Sequence, residues 1–229
     1  MALRAIVFDF DGVLANSEPL HFAAFRDVLA SAGIPLTEQD YYSRYLGFDD
    51  VGVFTTVGAD RGMTWNARDV AGFVADKALR LEVLERDIPV LFPEAAATIR
   101  RTAAAFPIAI ASGALGPEIR RVLARAGLLD YFSAIVSAED TPASKPAPDP
   151  YIRAVALLAE RIDGPELQPS ECVAIEDSRW GLESARAAGL RTVALTSSYD
   201  ASELQSVAEL IIASLADLNV EDLRRLLSS

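Results

Sequence analysis

Two aspartates, Asp9 and Asp11, close an apolar run in AIVFDFDGV with only Phe10 between them. A buried carboxylate is costly, and a second beside it is worse, unless a cation or hydrogen-bond donors compensate. The pair therefore predicts a bound positive charge. Other apolar runs end in polar groups as well. IAIA is followed by Ser112-Gly113, AIV leads on to Lys145 in the proline-rich TPASKPAPDP, and VAI is followed by Glu176-Asp177-Ser178. Carboxylates, one cation and a hydroxyl suit phosphoryl transfer. Hard oxygen ligands from Asp9 and Asp177 suit Mg2+, which keeps waters and a phosphate in its remaining positions. Lys145, with such a metal, would neutralise the phosphate, and Ser112 with the N–H groups around Gly113 would hold its oxygens. One of the two early aspartates can then attack phosphorus, while the other protonates the leaving oxygen and later takes a proton from water. Spacing alone does not say which does which.

These groups need a scaffold that gathers strand ends. The apolar runs Leu3–Phe8, Ile108–Ala111, Ala134–Val136, Val173–Ile175, Thr192–Leu195 and Leu210–Ile212 read as strands. They alternate with helical text over Glu94–Ala105, Pro117–Ala126, Pro150–Arg161 and Gly181–Ala188. Such alternation predicts an α/β fold, a Rossmann-like parallel sheet with helices on both faces, whose ligands bind beyond the carboxyl ends of the strands. From Asn16 to Asp87 the text is helical only, with Phe22, Phe25, Val28, Leu29 and Ala32 at helical spacing, then Glu38–Tyr45 and Ala67–Glu85. The expected organisation is a catalytic core of residues 1–15 and 88–229, with residues 16–87 inserted as a small α-helical cap domain.

A chain of 229 residues with 51% hydrophobic content can bury a sizeable core, and its net charge of -12 argues against nucleic-acid or anionic-membrane partners. The lone Cys172 excludes an internal disulfide and reads as a small buried hydrophobe. With no signal-like or membrane-spanning apolar stretch, a soluble cytoplasmic protein is expected.

The motifs resemble those of the haloacid dehalogenase superfamily, within the group that carries a helical cap after the first motif, similar to β-phosphoglucomutase and phosphoglycolate phosphatase. DxDG(T/V) is matched by Asp9, Asp11, Gly12 and Val13. The strand-ending serine is Ser112, SKPxPD is Ser144 to Asp149, and the acidic pair before a glycine-containing helix is Glu176-Asp177. The resemblance implies Asp9 as nucleophile and Asp11 as general acid/base. It implies Mg2+ on the Asp9 side chain, the Asp11 backbone carbonyl and Asp177, with Glu176 as a direct or indirect helper, and phosphate on Ser112 and Lys145. The activity it implies is Mg2+-dependent hydrolysis of a small phosphorylated metabolite, and a monomer or weak dimer is expected. A phosphosugar mutase with the same first half-reaction is the nearest rival, and a catalytically silent phosphate-binding module is the rival from another class.

Some residues carry two readings. Glu176 equally suits a cap for the helix after Ser178. His21, the only histidine, suits a hinge or substrate-edge role as well as a packed helix position. Trp65 and Trp180 read as structural. In the expected cap, the loop YLGFDD (Tyr45 to Asp50) and Lys77 resemble positions that reach the far end of a substrate. Mutases of the superfamily hold a second phosphate there with an arginine, whereas this chain has Asp49 and Asp50.

Overall fold

The computed structural model describes residues 2–46, 48–86 and 89–227. Gly47 of the YLGFDD loop, and Asp87 and Ile88 at the expected cap boundary, lie outside the described residues. The chain divides into two compact units, residues 1–16 with 91–229, and residues 17–90.

The first unit is built on six parallel strands in the order β3-β2-β1-β4-β5-β6. They are β1 (Ala5–Phe8), β2 (Ile108–Ala111), β3 (Phe132–Val136), β4 (Cys172–Glu176), β5 (Arg191–Leu195) and β6 (Leu210–Ile212). β1, β2 and β4 are buried on both faces, which is why they read as unbroken apolar runs rather than alternating ones. The α/β sheet expected from the sequence is thus the one observed. Phe8 pairs with Ile110 on one side and Ile175 on the other, so Asp9 emerges in the middle of the sheet, where the strand order reverses direction. That reversal is where doubly wound sheets open a crevice beyond their carboxyl ends.

Helices α5 (Ala95–Ala103), α6 (Gly116–Arg125), α7 (Asp149–Ala159) and α8 (Arg179–Ala187) connect the strands, and α9 (Ala201–Leu204) and α10 (Val220–Leu226) follow β5 and β6. On one side of the sheet, Val7, Ala109, Val136 and Ala174 pack with Tyr151, Ala154 and Leu158 of α7 and Ala185 of α8. Cys172 belongs to this cluster, and burial pushes its thiol up to about 12. Trp180 departs from its expected structural role: it stands in the first turn of α8 with 55% of its surface exposed. Where the chain leaves this unit and returns, Ala15 and Leu91 form an antiparallel bridge, and Phe92 N–H donates to the Leu14 carbonyl at 3.0 Å.

The second unit is helical: α1 (Glu18–Ser31), α2 (Glu38–Asp40) running into a π-helical turn (Tyr41–Tyr45), α3 (Asp50–Asp60) and α4 (Ala67–Leu84). Its core joins Phe25, Val28 and Leu29 of α1 to Tyr41, Tyr45, Phe54, Val57 and Val70. The Phe25 and Phe54 rings meet edge-on at 5.2 Å, and Trp65, partly buried, packs on Phe73 at 4.7 Å. The expected loop ends earlier than its sequence suggests, because Asp49 caps α3 by accepting from Gly52 N–H at 2.7 Å and Asp50 is already helical. Among the described residues no helix is long and apolar enough to cross a membrane.

Candidate active site

Asp9 follows β1 directly, and its N–H continues the ladder to the Ile175 carbonyl at 2.9 Å. This holds its side chain at the carboxyl end of β4, where Glu176 is the last strand residue. Carboxylate oxygens of Asp9, Glu176 and Asp177 all lie within 4.8 Å of one another, and all three residues are buried. Lys145 reaches into this cluster, 2.9 Å from Asp9 Oδ1 and 2.6 Å from Glu176 Oε1. The loop that carries it is pinned to α8 by Ser184, whose hydroxyl donates to the Ala147 carbonyl at 2.6 Å.

One lysine against three acids leaves an excess of negative charge. Burial first, and the Glu176 carboxylate next, hold the Asp9 carboxyl well above the usual carboxylate range, against the pull of Lys145. Burial and then Glu176 push Asp177 up to about 7. Burial alone would lower the Lys145 ammonium, but Asp9 and Glu176 outweigh it and hold the ammonium above its ordinary value. Three buried carboxylates converge here and burial raises two of them, Asp9 and Asp177, which is a donor set on which a hard divalent cation replaces protons, so the residues present fit Mg2+.

Glu176 has both oxygens engaged. Oε1 accepts from Lys145 and from the buried Tyr151 hydroxyl at 3.0 Å, and Oε2 accepts from Asp177 N–H, Ser178 N–H and the Ser178 hydroxyl. Ser178 in turn accepts from Gly181 N–H at 3.0 Å and caps α8. The two sequence readings of Glu176 are therefore compatible, since the same carboxylate borders the cluster and organises the helix start. Residue 181 must be glycine for this: a Cβ there would stand 1.7 Å from Glu176 Oε1. Gly12 is constrained likewise, by a φ of 73° and by Asp177 Oδ2, which would lie 1.9 Å from a Cβ.

Asp11 lies in the same turn, partly buried, and bridges to Ala15. Its side chain is not one of the three that converge. Ser112 is buried at the end of β2 and its hydroxyl oxygen accepts from Ala114 N–H at 3.1 Å, while Gly113 beside it is exposed. In the helical unit Lys77 is 2% exposed, 2.9 Å from Asp50 Oδ1 and 2.8 Å from His21 Nδ1, with its ammonium 4.9 Å from the Phe25 ring centre. With the ammonium as donor, Nδ1 accepts, which places the His21 ring proton on Nε2.

Two neighbours, Tyr151 and Ser198, were not singled out from the sequence. Tyr151 and Ser178 hold Glu176, and Ser198, three residues beyond β5, donates a hydrogen bond to Asp177 Oδ2. The strand-end rule that found Ser112 and Glu176 also points to Thr196-Ser197-Ser198 when applied to β5.

Fold and site together define an α/β protein with a buried acidic cluster at the centre of its parallel sheet. Residues 3–189 match the family model described as haloacid dehalogenase-like hydrolase. The chain belongs to that family. It is 30% identical over 234 residues to protein CbbY of Rhodobacter capsulatus, covering 94% of this chain and 95% of the relative. Identity to hexitol phosphatase B of Escherichia coli K12 is also 30%, over 96% of each chain. The crystal structure of CbbY from Rhodobacter sphaeroides in complex with phosphate superposes with a TM-score of 0.82 at 25% identity, covering 95% of this chain and 96% of that one.

Proposed function

We propose that this enzyme is a Mg2+-dependent phosphatase that hydrolyses a small sugar-like phosphomonoester through an aspartyl-phosphate on Asp9. The observation that carries the reading is the Asp9 carboxylate at the end of the central strand, in contact with Lys145 and flanked by the buried acids Glu176 and Asp177. An Asp9 oxygen attacks phosphorus as the ester P–O bond breaks, and Asp11 gives its proton to the departing alkoxide. Water then attacks the acyl phosphate, Asp11 takes the water's proton, and inorganic phosphate leaves with Asp9 restored. Lys145, Ser112 and the backbone N–H groups near Gly113 hold the phosphate oxygens. Mg2+ bound by Asp9, Asp177 and the Asp11 carbonyl would offset the phosphate's charge. With both oxygens engaged, Glu176 serves to orient Lys145 and the start of α8.

The helical unit, taken as a cap of residues 16–87, would supply specificity. Its buried cation Lys77 is neutralised by Asp50, and Asp49 adds a further negative charge beside it in sequence. Such a surface repels a second phosphate and accepts hydrogen bonds from hydroxyls. A monophosphate with a neutral, hydroxylated tail is the substrate class this favours. The names of two relatives, hexitol phosphatase B and the fructose-1-phosphate phosphatase of E. coli, support it. The test is phosphate release from matched hexitol and ketose mono- and bisphosphates. Expected is a monophosphate kcat/KM about tenfold or more above the bisphosphate, and loss of turnover in folded Asp9→Asn. Phosphate returned to the sugar instead of to water, or a bisphosphate preference, would overturn the reading.

A further inference from the structure

The segment after β5 touches the site twice. The Ser197 hydroxyl donates to the Gly12 carbonyl, and the Ser198 hydroxyl donates to Asp177 Oδ2. The same Oδ2 also lies against Gly12, close enough that a Cβ there would stand 1.9 Å away. One oxygen of Asp177 is therefore enclosed by a hydroxyl and a glycine, and the bond from Ser197 ties the enclosing segment to the glycine's own carbonyl. Oδ1 stands farther from that same Cβ position, at 3.0 Å, and would be the oxygen offered to a cation.

We propose that Ser198 is a positioning residue that restricts Asp177 to one-oxygen ligation and thereby biases the site toward Mg2+ and against Ca2+. The inference rests on the metal-dependent reading above. Mg2+ demands a small octahedral shell, keeps several waters and uses one or two carboxylates. Ca2+ takes six to eight oxygens and gains from carboxylates that ligate through both. A hydroxyl that occupies the second oxygen removes the extra ligand Ca2+ would use and costs Mg2+ nothing. It also fixes the carboxylate's rotation, the kind of outer support whose loss typically weakens metal binding about 10–100-fold.

The test is calorimetric titration of the protein with MgCl2 alone and CaCl2 alone, for wild type, Ser198→Ala and Ser198→Thr. Ser198 is exposed and contributes nothing to the core, so the alanine variant folds, and circular dichroism checks this. Expected is an approximately tenfold loss of Mg2+ affinity in Ser198→Ala with Ca2+ affinity unchanged or improved. The Mg2+/Ca2+ ratio then falls by about tenfold or more, and the threonine variant, which keeps the hydroxyl, restores it. Under Mg2+ the alanine variant loses kcat with little change in KM. Equal weakening of both cations, or an unchanged ratio, overturns this inference while leaving the metal reading intact. A wild-type protein that binds neither cation overturns the metal reading and this inference with it.

Discussion

Replacing Lys145 by methionine keeps most of the side chain's volume and removes its charge. In the wild type this ammonium stands 2.9 Å from Asp9 and 2.6 Å from Glu176, and no other Lys or Arg makes an ion pair with either acid among the described residues. Removing one partner of a buried ion pair costs about 3–5 kcal/mol, because the other charge is left uncompensated. Here one cation serves two carboxylates with a third nearby, so the upper end applies at pH 8. At about 2–4 °C per kcal/mol for a chain of this size, the Tm of the metal-free variant falls by roughly 10–20 °C. The sign of the pH dependence follows from Asp9. Its carboxyl is already raised by burial and Glu176, and losing Lys145 raises it further. A carboxyl raised in the folded state binds a proton more tightly there than in the unfolded chain, so stability is greatest at low pH and lost as pH rises through the folded value. At pH 5 the part of the penalty that comes from Asp9 should therefore be smaller than at pH 8. Thermal unfolding of wild type and Lys145→Met at pH 5 and pH 8, without divalent cations, measures this. Equal Tm losses at the two pH values, or a loss below about 3 °C at pH 8, would refute the charge-balance reasoning.

Asp11→Asn should leave Mg2+ binding near wild type while slowing turnover at least about a hundredfold, and Asp177→Ala should weaken Mg2+ directly; equal Mg2+ loss in both variants would show the roles misassigned. Asp177 is pushed up to about 7 from an unfolded value near 4, so metal-free protein should lose stability between those pH values. Mg2+ displaces that proton, and its upward shift of Tm should be larger at pH 8 than at pH 5.5, in calorimetric scans with and without MgCl2. Gly12→Ala should cost at least about 2 kcal/mol by denaturant unfolding, from the positive φ and the contact with Asp177, and should weaken Mg2+ as well.

The sheet was legible because each strand is a short apolar run that ends in a polar or glycine signal. AIVF, IAIA and VAI lie within β1, β2 and β4 almost residue for residue. Within the stretch read as helical, α3 was not placed as an element of its own. Its text, DVGVFTTVGAD, holds two glycines and a run of β-branched residues, all poor helix formers. Tertiary packing overrides that preference: Val53, Phe54 and Val57 are buried, and Gly58 admits the Trp65 ring, whose Cε3 would lie 2.7 Å from a Cβ. Asp9, Glu176 and Asp177 stood out because charge beside an apolar run is conspicuous, and Lys145 stood out only through its SKPxPD motif. Tyr151 and Ser198 did not, because an aromatic in a helix and a serine in a loop look ordinary until the fold brings them to a carboxylate. Trp180 misled for the opposite reason: tryptophan is usually buried, and the first turn of α8 holds this one at the surface.

The bridge between Ala15 and Leu91 alters what the helical unit means to the chain as a polymer. Because the outgoing and returning segments are hydrogen-bonded to each other, residues 17 to 90 hang from the sheet unit as the loop of a hairpin. Loop-closure entropy grows only with the logarithm of length, so enlarging a four-residue turn to this size is about four doublings and costs the sheet roughly 2.4 kcal/mol. Strand register in the sheet is then indifferent to what the loop contains. Descendants of such a chain can lengthen, trim or exchange the whole helical module without re-threading a strand, and selection can act on the module while Asp9 stays where β1 puts it.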